Sequence, residues 1–426
     1  MRFSKASIMV AVAVAAVLPA APAQARAYVC PQQPGIAKVS EATPYEASMF
    51  APERLAPFAT GAGVRVAIID SGVDATHPQL RGQVDRGRDF LHGNADGLQD
   101  CVGHGTAVAS IIAARHVEGS GLQGLAPDAT IVPVRVSEQT DTDGRSGGDR
   151  QTSPGAFADA IDWAASPSGG NADVINMSLV MTAESDRVNA AVARAIDRGV
   201  VIVAAVGNEG GPTDRNPVPY PADLPGVIGV GATDVNGVRG DFSQRGLYVD
   251  VMAPGVDVTF AALRSGHTSG AGTSYATPFV SATAALVKQR FPSLTPGQVA
   301  RRIVATTDPA PGGARSDEYG YGIVNPYRAL TETLGPESPA PPPPMVMHAE
   351  DPAALALAAR RAEAQDRSLL AAAVGAGVVV LVVLLAAAVR HGRRRGWRPG
   401  SPAEAAAEAA VETAQAAEAR GGGARV

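Results

Sequence analysis

The chain has 426 residues, 46% hydrophobic, 18% charged and 4% aromatic, enough to bury one large core or two ordinary ones. A formal net charge of -5 gives no basic footprint, so no nucleic-acid partner is expected. With 47 glycines and 33 prolines, loops and linkers take up much of the length.

The chain opens on a short basic start, Met1-Arg2-Phe3-Ser4-Lys5, and an apolar run from Ala6 to Pro19. Ala-x-Ala patterns follow at Ala23-Gln24-Ala25 and Ala25-Arg26-Ala27. This is the layout of a cleaved secretory signal peptide over residues 1–25. An uncleaved N-terminal anchor is the weaker alternative, because the apolar run is short and a cleavage pattern follows it. Residues 26–60 are rich in Pro and Ala without strong periodicity and read as an extension wrapping the next domain. The two cysteines, Cys30 and Cys101, form an even count in an exported chain, which favours a disulfide over two free buried thiols.

Regular structure begins at Val64-Arg65-Val66-Ala67-Ile68-Ile69-Asp70, a mostly apolar strand ending in the polar turn Asp70-Ser71-Gly72. Gly103-His104-Gly105-Thr106 opens a helical stretch from Ala107 to Ala114, and Val132 to Val136 reads as another strand. The polar, Gly-rich segment from Ser137 to Gly155 is expected as an exposed loop, with Asp141, Asp143 and Asp149 solvated rather than bound to metal. Helices at 156–165 and 183–198 alternate with strands at 173–179 and 200–206, and Gly199 suits a helix C-cap. Further strands at 227–230 and 249–255 lead to Gly272-Thr273-Ser274-Tyr275-Ala276-Thr277-Pro278 and a helix that is apolar on all faces. Pro278 cannot donate the helical bond to the carbonyl of Ser274, so the turn around this serine should be irregular. Helices at 295–306 and 326–333 close the domain. Alternation of strands and helices makes the class α/β, with a mainly parallel sheet covered on both faces.

A stiff Pro-rich linker and charged juxtamembrane stretch, residues 336–368, lead to 21 residues without a charge, Leu369 to Val389. That length spans a bilayer as one helix. Arg390, Arg393, Arg394, Arg395 and Arg398 follow at once, which places the tail 390–426 in the cytoplasm. The expectation is a single-pass protein of the cell membrane with its catalytic body outside the cytoplasm.

Asp70, His104 and Ser274 all lie beside glycine or at the ends of strands and helices, and Asn208 follows a buried strand in Gly207-Asn208-Glu209-Gly210. A nucleophilic serine needs a base, an orienting carboxylate and a donor for the oxyanion, and these four residue types supply them. Singly, each has a plain structural explanation: turn, loop or helix cap.

The local sequences decide between the two. Ala67 to Asp74, Gly103 to Ala109, Ala204 to Gly210 and Gly272 to Pro278 resemble the four signature segments of the subtilisin-like serine proteases (peptidase S8), in that family's chain order. The resemblance covers residues 61–335. It implies a three-layer fold with a seven-stranded, mainly parallel sheet, Asp70 as orienter, His104 as base and acid, Ser274 as nucleophile and Asn208 as oxyanion donor. It also implies that Ser178, Leu179 and Val180 bind substrate by strand addition. The family usually has glycine where Val180 stands, and the branched side chain should narrow the neighbouring pockets. No cofactor is implied, and no metal site can be mapped residue by residue.

Only about 35 residues separate the expected cleavage site from Gly61, too few for a prodomain with its own core. The short extension with Cys30, the partner Cys101, the Pro-rich linker and the C-terminal span resemble the mycosins, membrane-anchored proteases of type VII secretion systems. That likeness implies protein or peptide substrates and association with the secretion membrane complex. The competing expectation is a mainly structural subunit that stabilises the complex, with proteolysis secondary.

Overall fold

The computed structural model describes residues 30, 35–93, 96–138, 152–212, 215–311, 313–335, 389–391 and 411. The chain divides into two compact units, Met1–Met345 and Val346–Val426, and every element below belongs to the first. The expected signal peptide, the 336–368 linker, the acidic loop at 141–149 and, apart from Val389, the 369–389 span lie outside the described residues. Among the described residues no helix is long and apolar enough to cross a membrane.

The described elements run α1 (Tyr45–Phe50), α2 (Pro52–Leu55), β1 (Arg65–Asp70), β2 (Arg88–Asp89), α3 (His104–Ala113), β3 (Thr130–Arg135), α4 (Pro154–Ala165) and β4 (Val174–Met177). They continue with α5 (Asp186–Asp197), β5 (Val201–Ala205), β6 (Val227–Thr233), β7 (Val251–Pro254), β8 (Val258–Ala261) and β9 (His267–Gly270). The last are α6 (Thr273–Arg290), α7 (Pro296–Ala305), β10 (Asp308–Pro309), β11 (Gly322–Ile323) and α8 (Pro326–Thr331).

The sheet runs in the order β10-β11-β7-β6-β5-β4-β1-β3-β2, and every pairing is parallel except β10 with β11. Nine strands therefore replace the seven that the resemblance implied. Six longer strands, β7, β6, β5, β4, β1 and β3, are flanked by β2, β10 and β11, which hold two residues each and which no hydrophobic run announces. The interior strands are continuous apolar runs because both their faces are buried. In β1, Val66 and Ile68 pack with the α3 and α6 side, while Ala67 and Ile69 pack with the α4 and α5 side. Two-residue alternation thus feeds two cores from one strand.

Chain order reverses at β1, which pairs with β3 on one side and β4 on the other. The carboxyl ends of strands beside such a switch point leave a crevice, the usual place for a site in an open α/β sheet. Asp70 closes β1, Ser178 follows β4 and Asn208 follows β5. Helix α6 runs buried against this sheet, and all but a few of its residues lie inside the protein.

The described part of the extension lies on this domain and carries two short helices, α1 and α2, that its sequence did not announce. Tyr45 donates to the carbonyl of Val256 (2.8 Å), and Glu46 Oε1 accepts from the N–H of Thr259 (2.8 Å). Phe50 packs on Phe279 of α6, and Gln289 at the far end of that helix accepts from the N–H groups of Thr60 and Gly61. Cys30 is joined to Cys101 with their Cα atoms 5.3 Å apart. Closing a loop across 71 residues stabilises the fold by roughly 4 kcal/mol in the chain-entropy model.

Candidate active site

Asp70 and His104 are both buried, at 1% and 5% exposure. Asp70 Oδ1 lies 2.7 Å from His104 Nδ1 and also accepts from the N–H of Ser71 (2.7 Å). With Nδ1–H given to the carboxylate, Nε2 is the nitrogen left to take a proton. His104 is the first residue of α3, and the glycine after it makes the close approach possible. A Cβ at Gly105 would sit 2.0 Å from the carbonyl oxygen of Gly72 and 3.3 Å from Asp70 Cβ, so any larger residue would push the helix off the Asp70 turn. The rings of His104 and Tyr275 stand 5.4 Å apart, and Tyr275 stacks on Phe260, which forms an aromatic wall on that side.

Ser274 is the second residue of α6 and is 2% exposed. Pro278 has no N–H for the carbonyl four residues before it. Ser178 takes its place, donating from Oγ to the Ser274 carbonyl at 2.8 Å. Ser178 Oγ itself accepts from Asn176 Nδ2 (3.0 Å), whose Oδ1 accepts from Ser281 Oγ (2.8 Å). A polar relay thus runs from the middle of α6 through β4 to the backbone of the serine.

Asn208 is held by its oxygen. Oδ1 accepts from the N–H of Thr273 (2.9 Å) and from Thr273 Oγ1 (3.0 Å), and that hydroxyl accepts from the N–H of Gly207 (3.1 Å). The amide end, Nδ2, is turned the other way. A Cβ built on Gly272 would lie 3.0 Å from Ser274 Oγ and 3.4 Å from Asn208 Nδ2, so hydroxyl and amide converge on one point. Gly272 has extended backbone (φ 161°) that any residue can adopt. Space rather than conformation is what a side chain there would violate.

These distances bring Asp70 to His104 and Asn208 to Ser274, while Ser178 holds the serine's backbone. Leu179 and Val180 follow at the half-buried end of β4, and Ser178 turns its side chain inward. Asn176, Thr273, Ser281, Ser71, Thr106 and Asp100 are contributors that the motifs alone did not single out. Asn176 carried a signal: an amide inside Val174-Ile175-Asn176-Met177 is a buried polar group in a central strand and needs partners.

The family model for subtilases (Peptidase_S8, Subtilase family) matches residues 61–322. Mycosin-1 of Mycobacterium tuberculosis (strain ATCC 25618 / H37Rv) is 37% identical over 330 residues, covering 67% of this chain and 72% of mycosin-1. The chain belongs to the subtilase family. Subtilisin E of Bacillus subtilis (strain 168) is 38% identical over 289 residues, 67% of this subtilase and 71% of subtilisin E. Among solved structures, MycP1 from the ESX-1 type VII secretion system superposes with a TM-score of 0.61 at 32% identity, covering 72% of this chain and 91% of that one. This subtilase is therefore a serine endopeptidase of the subtilisin-like type, and its likeness to mycosin-1 and MycP1 makes it mycosin-type.

Proposed function

We propose that this subtilase hydrolyses peptide bonds of secreted proteins through Ser274, His104 and Asp70. His104 Nε2 takes the proton of Ser274 Oγ as that oxygen bonds to the scissile carbonyl carbon. Negative charge then collects on the carbonyl oxygen, where Asn208 Nδ2 and the backbone N–H of Ser274 donate to it. His104 returns the proton to the departing amine as the C–N bond breaks. Water, deprotonated by the same imidazole, cleaves the acyl-enzyme and restores the serine. Asp70 keeps Nδ1–H in place and offsets the charge of the imidazolium. The observation that carries this reading is the 2.7 Å contact of His104 with Asp70, combined with Ser274 Oγ and Asn208 Nδ2 meeting at Gly272.

The substrate backbone pairs with Ser178-Leu179-Val180, and Val180 restricts the side chains accepted there. The domain spans 61–335, preceded by a signal peptide and a disulfide-tied extension. A single span at 369–389 anchors it outside the membrane, with the Arg-rich tail in the cytoplasm. Likeness to MycP1 supports work beside a type VII secretion membrane complex. The charge-free span and its basic flank also support a structural part in such a complex.

The test compares the termini of secreted proteins from wild-type, Ser274→Ala and deletion strains. Proteolysis predicts a set of termini present in wild type and absent in both others. Identical termini in wild type and Ser274→Ala contradict it, and secretion lost only on deletion assigns the structural role.

A further inference from the structure

A second buried carboxylate stands behind the pair of Asp70 and His104. Asp100 is 7% exposed, and its oxygens accept five hydrogen bonds. Oδ1 takes Ser71 Oγ (2.9 Å) and the N–H groups of Val102 (3.1 Å) and Gly103 (2.8 Å). Oδ2 takes the N–H and the hydroxyl of Thr106 at 2.9 and 2.6 Å. Four of these donors belong to the residues that bracket His104. The fifth, Ser71, is the neighbour of Asp70, and its Oγ accepts from the N–H of Gly105 at 2.9 Å. One carboxylate therefore ties the loop carrying the orienting acid to the turn carrying the base.

Three of the five donors are backbone N–H groups that cannot accept, and the ionised carboxylate accepts from all five at once. Burial holds the Asp100 carboxyl above its ordinary value, against the bonds from Thr106 and Gly103 that pull it down, and the charge of Asp70 raises it further. The charged and titratable neighbours are few. Asp70 faces it from β1, and Asp74 sits behind Thr106, its own N–H bonded to Thr106 Oγ1. Tyr275 of α6 covers the His104 ring. Arg135 of β3 touches Cys101 Sγ at 3.2 Å, but its guanidinium is already engaged by Asp89 and Glu138. No described cation answers Asp100, so its charge acts on its surroundings.

We infer that Asp100 is a positioning residue for the reaction: it fixes the turn Cys101–Thr106 so that His104 meets Asp70, and its charge favours the imidazolium formed when His104 takes the serine proton. The inference rests on the proposed roles of Asp70, His104 and Ser274. A carboxylate that merely supported the fold would affect stability and leave the pH dependence of the serine alone.

The test uses the full chain and a fluorophosphonate serine probe, measuring the second-order rate of labelling against pH for wild type, Asp100→Asn and Ser71→Ala. Asp100→Asn is expected to label roughly 10- to 100-fold more slowly, the range that misplacing a reacting group produces. Its acid limb should move to lower pH, because removing a negative charge disfavours the protonated imidazole. Ser71→Ala keeps the charge and loses one tether, so it should slow labelling with the acid limb in place. Folded variants that match wild type in rate and acid limb overturn the inference. Should Asp100→Asn fail to fold, an unchanged rate in Ser71→Ala overturns it alone. Wild type inert to the probe contradicts the triad itself, which separates that failure from this one.

Discussion

At the scale of single residues, the site depends on which atom of each side chain is already occupied. Asn208 could present either end of its amide. Thr273 fixes the choice by donating twice to Oδ1, so Nδ2 is the end aimed at Gly272. Asn208→Ala should therefore lower kcat by roughly 100- to 1,000-fold with little change in KM, the loss seen when an oxyanion donor is removed from subtilisin. Steady-state kinetics on a peptide substrate check this, and a change confined to KM would count against it. Asp70, His104, Asn208 and Ser274 were legible because each stands in a short motif that holds a glycine within two residues of it. Asp100 was not, since its bonds go to nearby backbone groups and to hydroxyls, Ser71 among them, that no motif marks as its partners; Asn176 showed only as a buried amide, and its partner Ser281 lies 105 residues away.

At the scale of elements, α6 and the N-terminal extension each carry a prediction. Pro278 was legible as a break in the α6 bonding pattern, but the group repairing it, Ser178, lies 96 residues earlier in the chain. Ser178→Ala leaves the buried carbonyl of Ser274 without that donor, which should destabilise the protein by roughly 1–3 kcal/mol. Denaturant unfolding measures the loss. Because strand addition uses backbone groups, KM should change less than kcat.

In the extension, Glu46 of α1 has one oxygen bonded to Thr259 and the other, Oε2, buried with no partner among the described residues. Burial raises its carboxyl from the ordinary 4.5 to about 7. The neutral form is the one the fold favours, so the stability Glu46 contributes is complete below pH 4.5 and is lost as pH rises through about 7. The full effect is at most roughly 3 kcal/mol. Thermal unfolding should find Glu46→Gln more stable relative to wild type in mildly alkaline buffer than in acid. Parallel pH curves for the two proteins would contradict this. The extension's helices escaped a reading by periodicity because α1 and α2 hold only six and four residues. The polar hairpin strand β9, His267-Thr268-Ser269-Gly270, was hidden for a similar reason.

At the scale of the molecule, the alternation of apolar strands and helices was enough to read a parallel sheet with two covered faces. Strand number was not, because the edge strands β2, β10 and β11 consist of polar residues, glycine or proline as much as apolar ones. Their pairing follows from where the larger strands place the chain. The parallel order puts the ends of β1, β4 and β5 at one crevice, and α6 delivers Ser274 into it. The proposed proteolytic site thus draws on residues 70, 104, 208 and 274, far apart in the chain.

Peptide mapping of the full chain after reaction with a fluorophosphonate probe tests that account most directly. It predicts one adduct, on the Ser274 hydroxyl, absent in Ser274→Ala and in His104→Ala. An adduct on another residue, or none on the folded wild-type protein, would contradict it.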